Sequence, residues 1–100
     1  MSDIPSHTVS IPAAHLGGPG APNATLCSAK VVELLSAQAG DGMRMASLSL
    51  DVTSFPLGEA EVRISVRVDK RAKSIVFASA EARSGEQLVF SAQGLFSRAG

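Results

Sequence analysis

The sequence has little from which a disulfide framework, a metal cluster or an aromatic binding platform can be built. Its 100 residues include one cysteine, Cys27, and two histidines, and the only aromatic residues are four phenylalanines. One cysteine excludes an internal disulfide and a cysteine-based zinc site. Four phenylalanines offer few surfaces on which the bases of a single-stranded nucleic acid can stack. We therefore expect no metal site and no bound cofactor.

An excess of one charge and a long hydrophobic run are also missing. Nine basic and nine acidic residues give a formal net charge of zero, whereas nucleic-acid binders need basic side chains to release counterions. No apolar run reaches the roughly 20 residues of a membrane span. The first residues also lack the basic and apolar regions of a secretory signal. We expect a cytoplasmic protein that binds neither nucleic acid nor membrane.

The composition is that of a folded chain. Apolar residues make up 45% of the sequence and charged residues 18%, which is outside the range of disordered chains. The length predicts one domain spanning residues 1–100. A chain of this length buries only about 60–70% of the surface that its unfolded form exposes, so contact with a second subunit would add to its stability.

Prolines separate an irregular segment from a patterned one. Four of the five prolines lie in residues 1–22, which predicts an irregular N-terminal arm and a Gly/Pro loop, with a short edge strand over Thr8–Ile11. Residues 24–39 contain neither glycine nor proline. Asn23 precedes them as a favoured N-cap, and Gly40 follows as a stop signal. The sequence therefore predicts one long helix over residues 24–39.

Apolar side chains cover most of the circumference of this predicted helix. We expect one buried face that contains Leu26, Ala29 and Val32. The apolar neighbours that widen this face are Cys27, Val31, Leu34 and Leu35. The remaining solvent stripe consists of Lys30, Glu33, Ala37 and Gln38. Such a helix is typical of one that other elements wrap.

From residue 43 apolar and polar side chains alternate along the chain. This alternation predicts a four-strand antiparallel meander over residues 43–98. Its turns are expected at Phe55–Gly58, Lys70–Lys73 and Ser84–Glu86. The apolar positions of its first two strands are Ala46, Leu48, Leu50 and Val52, then Ala60, Val62, Ile64, Val66 and Val68. Gly94 in the last strand predicts a bulge or a close backbone approach. The helix is the only cover for the apolar face, so we predict an α+β fold in which a curved antiparallel sheet wraps one central helix.

Two passages of this meander resemble the hotdog fold of the acyl-CoA thioesterase and dehydratase superfamily, in its PaaI-like form. Residues 55–62 are similar to the family passage in which Phe and Pro precede a glycine that opens the next strand. Residues 73–92 are similar to the last hairpin of the family, and the resemblance covers about residues 15–99. It implies subunits that pair edge to edge into a homodimer or homotetramer. It also implies a pocket between subunits for the thioester of an acyl-CoA or an acyl-carrier protein.

The resemblance implies that the thioester carbonyl rests at the N-terminus of the central helix, where free N–H groups favour an oxyanion. That position holds Asn23, Ala24 and Thr25 in this sequence. We predict Asn23 as a catalytic residue that donates to the carbonyl or orients a water. Gly18, Ala24 and Thr25 are predicted to bind the substrate. Glu33 is the predicted catalytic base.

The resemblance also implies basic residues near the rim of the sheet that meet the phosphates of coenzyme A. The residues that fit this role are Arg63, Arg67 and Lys73, and their alternative role is a solvated face that discourages aggregation. Asn23 and Glu33 also have simpler readings, as a plain N-cap and as a surface partner of Lys30. His15 is either a pocket residue or polar surface. Cys27 is either a nucleophile or a small buried apolar residue.

The helix departs from the family pattern. Many bacterial thioesterases of this type have His-Gly-Gly before the helix, where this chain has Pro22-Asn23-Ala24, and their acidic residue aligns with Val31. Glu33 is two residues further on, about 200° around the helix, and the Gly-Asp…His motif of the dehydratases is absent from the sequence.

Three functions therefore stay open. The first is a thioester hydrolase, and the second is an assembly protein whose pocket is filled. The third is a non-catalytic acyl-CoA-binding or sensing module. The helix start led by Asn23 and the hairpin at residues 85–90 also resemble a malonyl-CoA-sensing hotdog domain of a lipid-synthesis repressor.

Overall fold

The computed structural model describes residues 6–58 and 60–98. Residues 1–5 of the predicted N-terminal arm lie outside the described residues. Within these residues, one α-helix and five strands form the fold, and the strands make one antiparallel sheet in the order β1-β3-β4-β5-β2. The elements are β1 (Ser6–Pro12), a 3-10 turn (Ala13–Leu16), α1 (Ala24–Ala39), β2 (Met43–Val52), β3 (Glu61–Arg71), β4 (Ile75–Ser84) and β5 (Gln87–Arg98).

Helix α1 begins and ends where its sequence signals place it. The side-chain oxygen of Asn23 accepts a hydrogen bond from the amide of Leu26 at 3.0 Å, which satisfies one of the donors that a helix start leaves free. After Ala39, the amide of Gly40 donates to the carbonyl of Ser36. Gly40 has a φ of 99°, a conformation that suits glycine.

The core lies between α1 and the inner face of the sheet. Strand β4 contributes alanines to this face, and these small side chains leave room for the helix. Gly94 of β5 allows a still closer approach, because a Cβ there would lie 3.1 Å from Cδ1 of Leu35. The close approach expected at Gly94 is thus present. The largest buried side chains include Phe90, Phe96, Leu16, Leu35 and Ile64.

The predicted burial of α1 is confirmed at Cys27, Val31 and Leu35, but the predicted face is too wide, because it also contained Leu26, Ala29 and Val32. The helix buries Cys27, Val31, Leu35 and Ala39, which form a straight stripe at a spacing of four residues. Leu26 and Val32, expected in the core, are 42% and 38% exposed. The reason is that the sheet covers the helix from one side only, so its outer surface keeps apolar groups in contact with solvent.

Three bulges change the predicted pattern of the strands, and their extra residues are Ala46 in β2, Asp69 in β3 and Val89 in β5. Ala46 is an extra residue of β2 between Met45 and Ser47, so it is exposed instead of sharing the buried face with Leu48 as the strict alternation predicted. Asp69 is an extra residue of β3. Strand β3 therefore continues to Arg71, within the segment expected to be a charged turn. A bulge shifts the alternation by one residue and re-aims the side chains that follow it.

The sheet has two unequal edges. β1 is longer than the expected Thr8–Ile11 and pairs with β3 over seven residues, so part of the arm expected to be irregular belongs to the sheet. β2 forms the other edge with ten residues. The inward apolar residues of β2 are only partly buried, and they are Met43, Met45, Leu48, Leu50 and Val52.

Candidate functional site

The N-terminus of α1 presents backbone donors to solvent. Within the described residues, the amides of Leu26 and Cys27 bond to the side chain and the carbonyl of Asn23, while those of Ala24 and Thr25 have no acceptor. Ala24 and Thr25 are exposed. Free amides at a helix start, together with the helix dipole, favour a negatively charged oxygen. The first turn is therefore suited to hold an anion or a developing oxyanion.

The Gly-rich loop before α1, residues 17–20, packs tightly against the loop between β2 and β3 at Leu57 and Gly58. A Cβ on Gly18 would lie 2.8 Å from the carbonyl oxygen of Gly58 and 3.0 Å from Cβ of Leu57. The amide of Leu57 donates to the carbonyl of Gly20 at 2.8 Å. The amide of Asn23 donates to the carbonyl of Leu16 at 2.8 Å. These contacts fix the entry into the helix, and they account for Gly18 by packing alone.

Thr53 is a polar group at this end of the molecule that the sequence did not single out. Thr53 is the first residue after β2, and the loop that it begins contacts the Gly-rich loop before α1 through the hydrogen bond from the Leu57 amide to the Gly20 carbonyl. Its Oγ1 is the one buried side-chain polar atom without a hydrogen-bond partner in the described parts of the chain. A lone threonine at the end of a strand gives no signal of this kind in a sequence.

Glu33 and Asn23 are not brought together within one chain. Glu33 lies on the exposed side of α1, and its carboxylate contacts Lys30 Nζ at 3.3 Å. Ten residues of helix separate it from Asn23, which corresponds to roughly 15 Å along the axis. The side chain of Asn23 is engaged as the helix cap. A base acting at the first turn of α1 would thus have to come from elsewhere than Glu33 of the same chain.

The three predicted phosphate-binding residues are spread over the sheet. Arg63 and Arg67 lie on the exposed face of β3, and Lys73 lies in the turn after Arg71. Arg63 and Lys73 are far apart, because the eight residues from Arg63 to Arg71 span roughly 26 Å along β3 and Lys73 follows Arg71. Arg67 is held on the surface by Asp69 at 2.8 Å. One chain does not gather these residues around the start of α1.

Cys27 and His15 have ordinary surroundings. Cys27 is buried in the core, and this burial raises the pKa of its thiol. A raised pKa disfavours the thiolate, which is the nucleophilic form. His15 is exposed in the 3-10 turn. Residues 6–58 and 60–98 contain no group of three side chains placed to hold a metal ion, and no helix described there is long and apolar enough to cross a membrane.

This arrangement of one helix on a curved five-strand antiparallel sheet is the hotdog fold, as predicted. A thioesterase of Haemophilus influenzae superposes over 100% of this chain and 75% of its own, with a TM-score of 0.80 and 10% identity. The PaaI protein of the Escherichia coli phenylacetic acid degradation operon superposes with a TM-score of 0.72 and 14% identity, over 95% of this chain and 72% of its own.

A conserved protein of Pseudomonas aeruginosa is similar to the same degree, with a TM-score of 0.73 and 20% identity over 94% of this chain and 81% of its own. At these identities the likeness establishes the fold and leaves activity to be argued from the site. No protein-family profile and no curated protein sequence matches this chain.

Proposed function

We propose that this protein hydrolyses an acyl thioester at the N-terminus of α1. The observation that carries the proposal is the pair of free amides at Ala24 and Thr25, on a fold shared with a solved thioesterase of Haemophilus influenzae. The thioester carbonyl would accept hydrogen bonds from these amides. They would stabilise the oxyanion that forms when a water attacks the carbonyl carbon. The acid is released once the C–S bond breaks, and the departing thiolate takes up a proton.

The proposed active unit is a pair of subunits joined along β2. A ten-residue edge strand with unpaired backbone groups is a template for pairing with another chain. The inward residues of β2 are only partly buried in one chain, so a second subunit would complete the core there. The pairing also supplies a second set of side chains near the start of α1. In this proposal the general base is Glu33 of the second subunit, which removes a proton from the attacking water.

A non-catalytic acyl-thioester-binding module is the second candidate. The position of Glu33 favours it, because within one chain this carboxylate faces solvent and contacts Lys30. Within the described residues, no carboxylate makes a hydrogen bond to the first turn of α1. Such a module would keep the amides of Ala24 and Thr25 for the carbonyl and would lack a base.

The deciding experiment is release of free thiol from a panel of acyl-CoAs, from short aliphatic to aromatic, measured for the wild type and for Glu33→Gln. Asn23→Ser and Asn23→Ala are measured alongside. Serine keeps the N-cap, whereas alanine removes it at a cost of about 0.5–2 kcal/mol. The hydrolase with Glu33 as base requires turnover that falls at least a hundredfold in Glu33→Gln, with an unchanged melting temperature.

The three variants separate the roles of Glu33 and Asn23. Activity kept in Asn23→Ser assigns Asn23 to capping, and activity lost there at unchanged stability assigns it to the thioester. Turnover that survives Glu33→Gln contradicts the proposed base. If the panel gives no turnover while an acyl-CoA raises the melting temperature, the protein is the binding module and the hydrolase proposal is wrong.

A further inference from the structure

The charges of the described chain are unevenly distributed, although the formal net charge of the sequence is zero. The strand register places the end of β3, the start of β4, the end of β5 and the start of β2 at one end of the sheet, beside the C-terminus of α1. Five of the nine basic residues of the sequence lie there, together with two carboxylates, Asp41 and Asp69. We call this surface the basic end, and its basic residues are Arg44, Lys70, Arg71, Lys73 and Arg98.

The five cations of the basic end are exposed, and none of them forms an ion pair with a carboxylate of the described residues. Asp69 is engaged elsewhere, because its carboxylate contacts Arg67 at 2.8 Å. Lys73 and Arg98 are held side by side, since Nη2 of Arg98 donates to the carbonyl of Lys73 at 3.0 Å. Like charges on neighbouring strands repel one another. A surface that gathers them without counter-charges is suited to an anionic partner.

The opposite end of the sheet has the opposite character. Glu61 begins β3 and Glu86 lies in the turn between β4 and β5, and both side chains are exposed. Arg63 and Arg83 also lie towards this end, where Arg83 contacts Glu81 at 3.5 Å. A protein with one cationic and one anionic end orients a charged molecule that approaches it. An anionic partner is therefore directed to the basic end.

The width of the basic end separates the possible anionic partners. Its basic residues lie at the ends of four adjacent strands, from β3 to β2, which together span about 14 Å. A single phosphate group is bound by donors that converge on one point, whereas an α-helix with its side chains is about 10–12 Å across. A nucleic acid would continue past a patch of this size onto the anionic surface, which repels its phosphates. The basic end is therefore best matched to an acidic helix of another protein.

The proposed pairing along β2 relates the basic end of one subunit to the candidate site of the other. Two copies of β2 related by a twofold axis perpendicular to the sheet run antiparallel, so the start of β2 in one subunit lies beside the end of β2 in the other. The loop after β2 contacts the Gly-rich loop before α1 through the hydrogen bond from Leu57 to Gly20. A protein bound at the basic end of one subunit is thus at the same end of the paired sheet as the first turn of α1 in the other.

We propose that the basic end binds an acidic helix of a carrier protein that presents the acyl thioester on a flexible phosphopantetheine arm. The carrier docks on one subunit, and its arm delivers the thioester to the amides of Ala24 and Thr25 in the other. This step rests on the proposed function, and it selects a protein-bound thioester over a free acyl-CoA. Attraction between exposed charges speeds association and is weakened by salt.

The experiment measures the dissociation constant of an acidic acyl-carrier protein that has its phosphopantetheine arm and no acyl group, so that no hydrolysis enters the measurement. The wild type is compared at low and at high salt with Lys73→Glu, Arg98→Glu and the double variant, and melting temperatures check that each is folded. We expect the double variant to bind the carrier about tenfold or more weakly at low salt, and high salt to weaken wild-type binding. Arg83→Glu, the same charge reversal at the opposite end, is the control and should bind as the wild type does. Lys73 lies in a turn, so Lys73→Glu alone keeps the test valid if Arg98→Glu does not fold.

The outcomes separate this proposal from the proposed hydrolysis. Equal binding of the carrier by the wild type and by the folded variants overturns the proposal, and so does tighter binding of a short RNA that depends on Lys73 and Arg98. Hydrolysis of hexanoyl-CoA without any binding of the carrier also overturns it and leaves the hydrolase in place. Binding of the carrier that depends on Lys73 and Arg98, with no hydrolysis of hexanoyl-CoA or of the hexanoyl-loaded carrier, supports the basic end and contradicts the hydrolase.

Discussion

The guanidinium of Arg71 caps the C-terminus of α1 by donating from Nη1 to the carbonyl of Ala39 at 3.1 Å. Its Nη2 donates to the carbonyl of Gln38 at the same distance. Carbonyls at a helix end have no partner within the helix and carry a partial negative charge. The guanidinium of Arg71 supplies these carbonyls with hydrogen-bond donors and a positive charge. It reaches them because the bulge at Asp69 turns the side chain of Arg71 to the helix side of the sheet. One extra residue in β3 thus joins the sheet to the end of the helix.

Arg71→Ala is expected to lower the free energy of unfolding by about 1–2 kcal/mol, because hydrogen bonds to a charged group contribute about 1.5–3 kcal/mol and this one is partly exposed. The melting temperature should fall by roughly 4–8 °C for each kcal/mol. Arg71→Lys should recover part of the loss. Arg63→Ala, on the exposed face of the same strand, is the control and should change the melting temperature little. Equal effects of Arg63→Ala and Arg71→Ala would contradict the capping role.

Gly18→Ala is expected to destabilise the protein more than Gly94→Ala. The added methyl at Gly18 would lie 2.8 Å from the backbone carbonyl of Gly58, whereas at Gly94 the nearest atom is a side-chain methyl of Leu35 at 3.1 Å. A side chain can move aside more easily than a packed backbone can. Overpacking of this kind costs about 1–3 kcal/mol. Denaturant titration of both variants checks the order, and a reversed order would contradict the role assigned to the two loops.

Thr53→Val is expected to stabilise the protein by about 1 kcal/mol, because it removes a buried hydroxyl that has no partner and keeps the shape of the side chain. Ser54→Ala, at the next position, which is exposed, is the control. Thermal unfolding without ligand measures both. If Thr53→Val is stabilising and also weakens binding of an acyl-CoA, the hydroxyl serves the ligand. A loss of stability would show that Oγ1 has a partner in the folded protein.

The thiol of Cys27 is expected to make the protein less stable at alkaline pH. Burial raises its pKa, so above about pH 8.5, where an unfolded thiol ionises, the folded state binds more protons than the unfolded state. Stability then falls as the pH rises. Unfolding of the wild type and of Cys27→Ala between pH 7 and 10 measures this. Cys27→Ala should be less stable than the wild type at pH 7, but its free energy of unfolding should fall less between pH 7 and pH 10. An equal fall in both proteins would contradict the expectation.

The sequence predicted the elements that depend on local signals. The helix bounds follow from Asn23 and Gly40, and the inner face of β3 follows from strict alternation. The buried face of α1 was predicted too wide, because nearly every face of this helix is apolar and tertiary packing decides which part of it is covered. The sequence did not predict the bulges at Ala46, Asp69 and Val89, because none of these residues is a glycine and no residue type marks them.

The candidate site could be predicted only in part. The N-cap of α1 is a local feature, and its free amides follow from the geometry of any helix start. The unmatched hydroxyl of Thr53 and the lock between Gly18 and Gly58 depend on segments far apart in the sequence. Glu33 was selected for its chemical type, and its position on α1 sets it on the exposed side.

The bulges also bear on how this chain should be aligned with distant proteins of the same fold. Each inserts one residue into a strand, and a shift of one residue moves every following side chain to the other face of the sheet. A relative that lacks the bulge at Asp69 would need a single-residue gap there. Without that gap, the inward positions of one protein would be scored against the outward positions of the other.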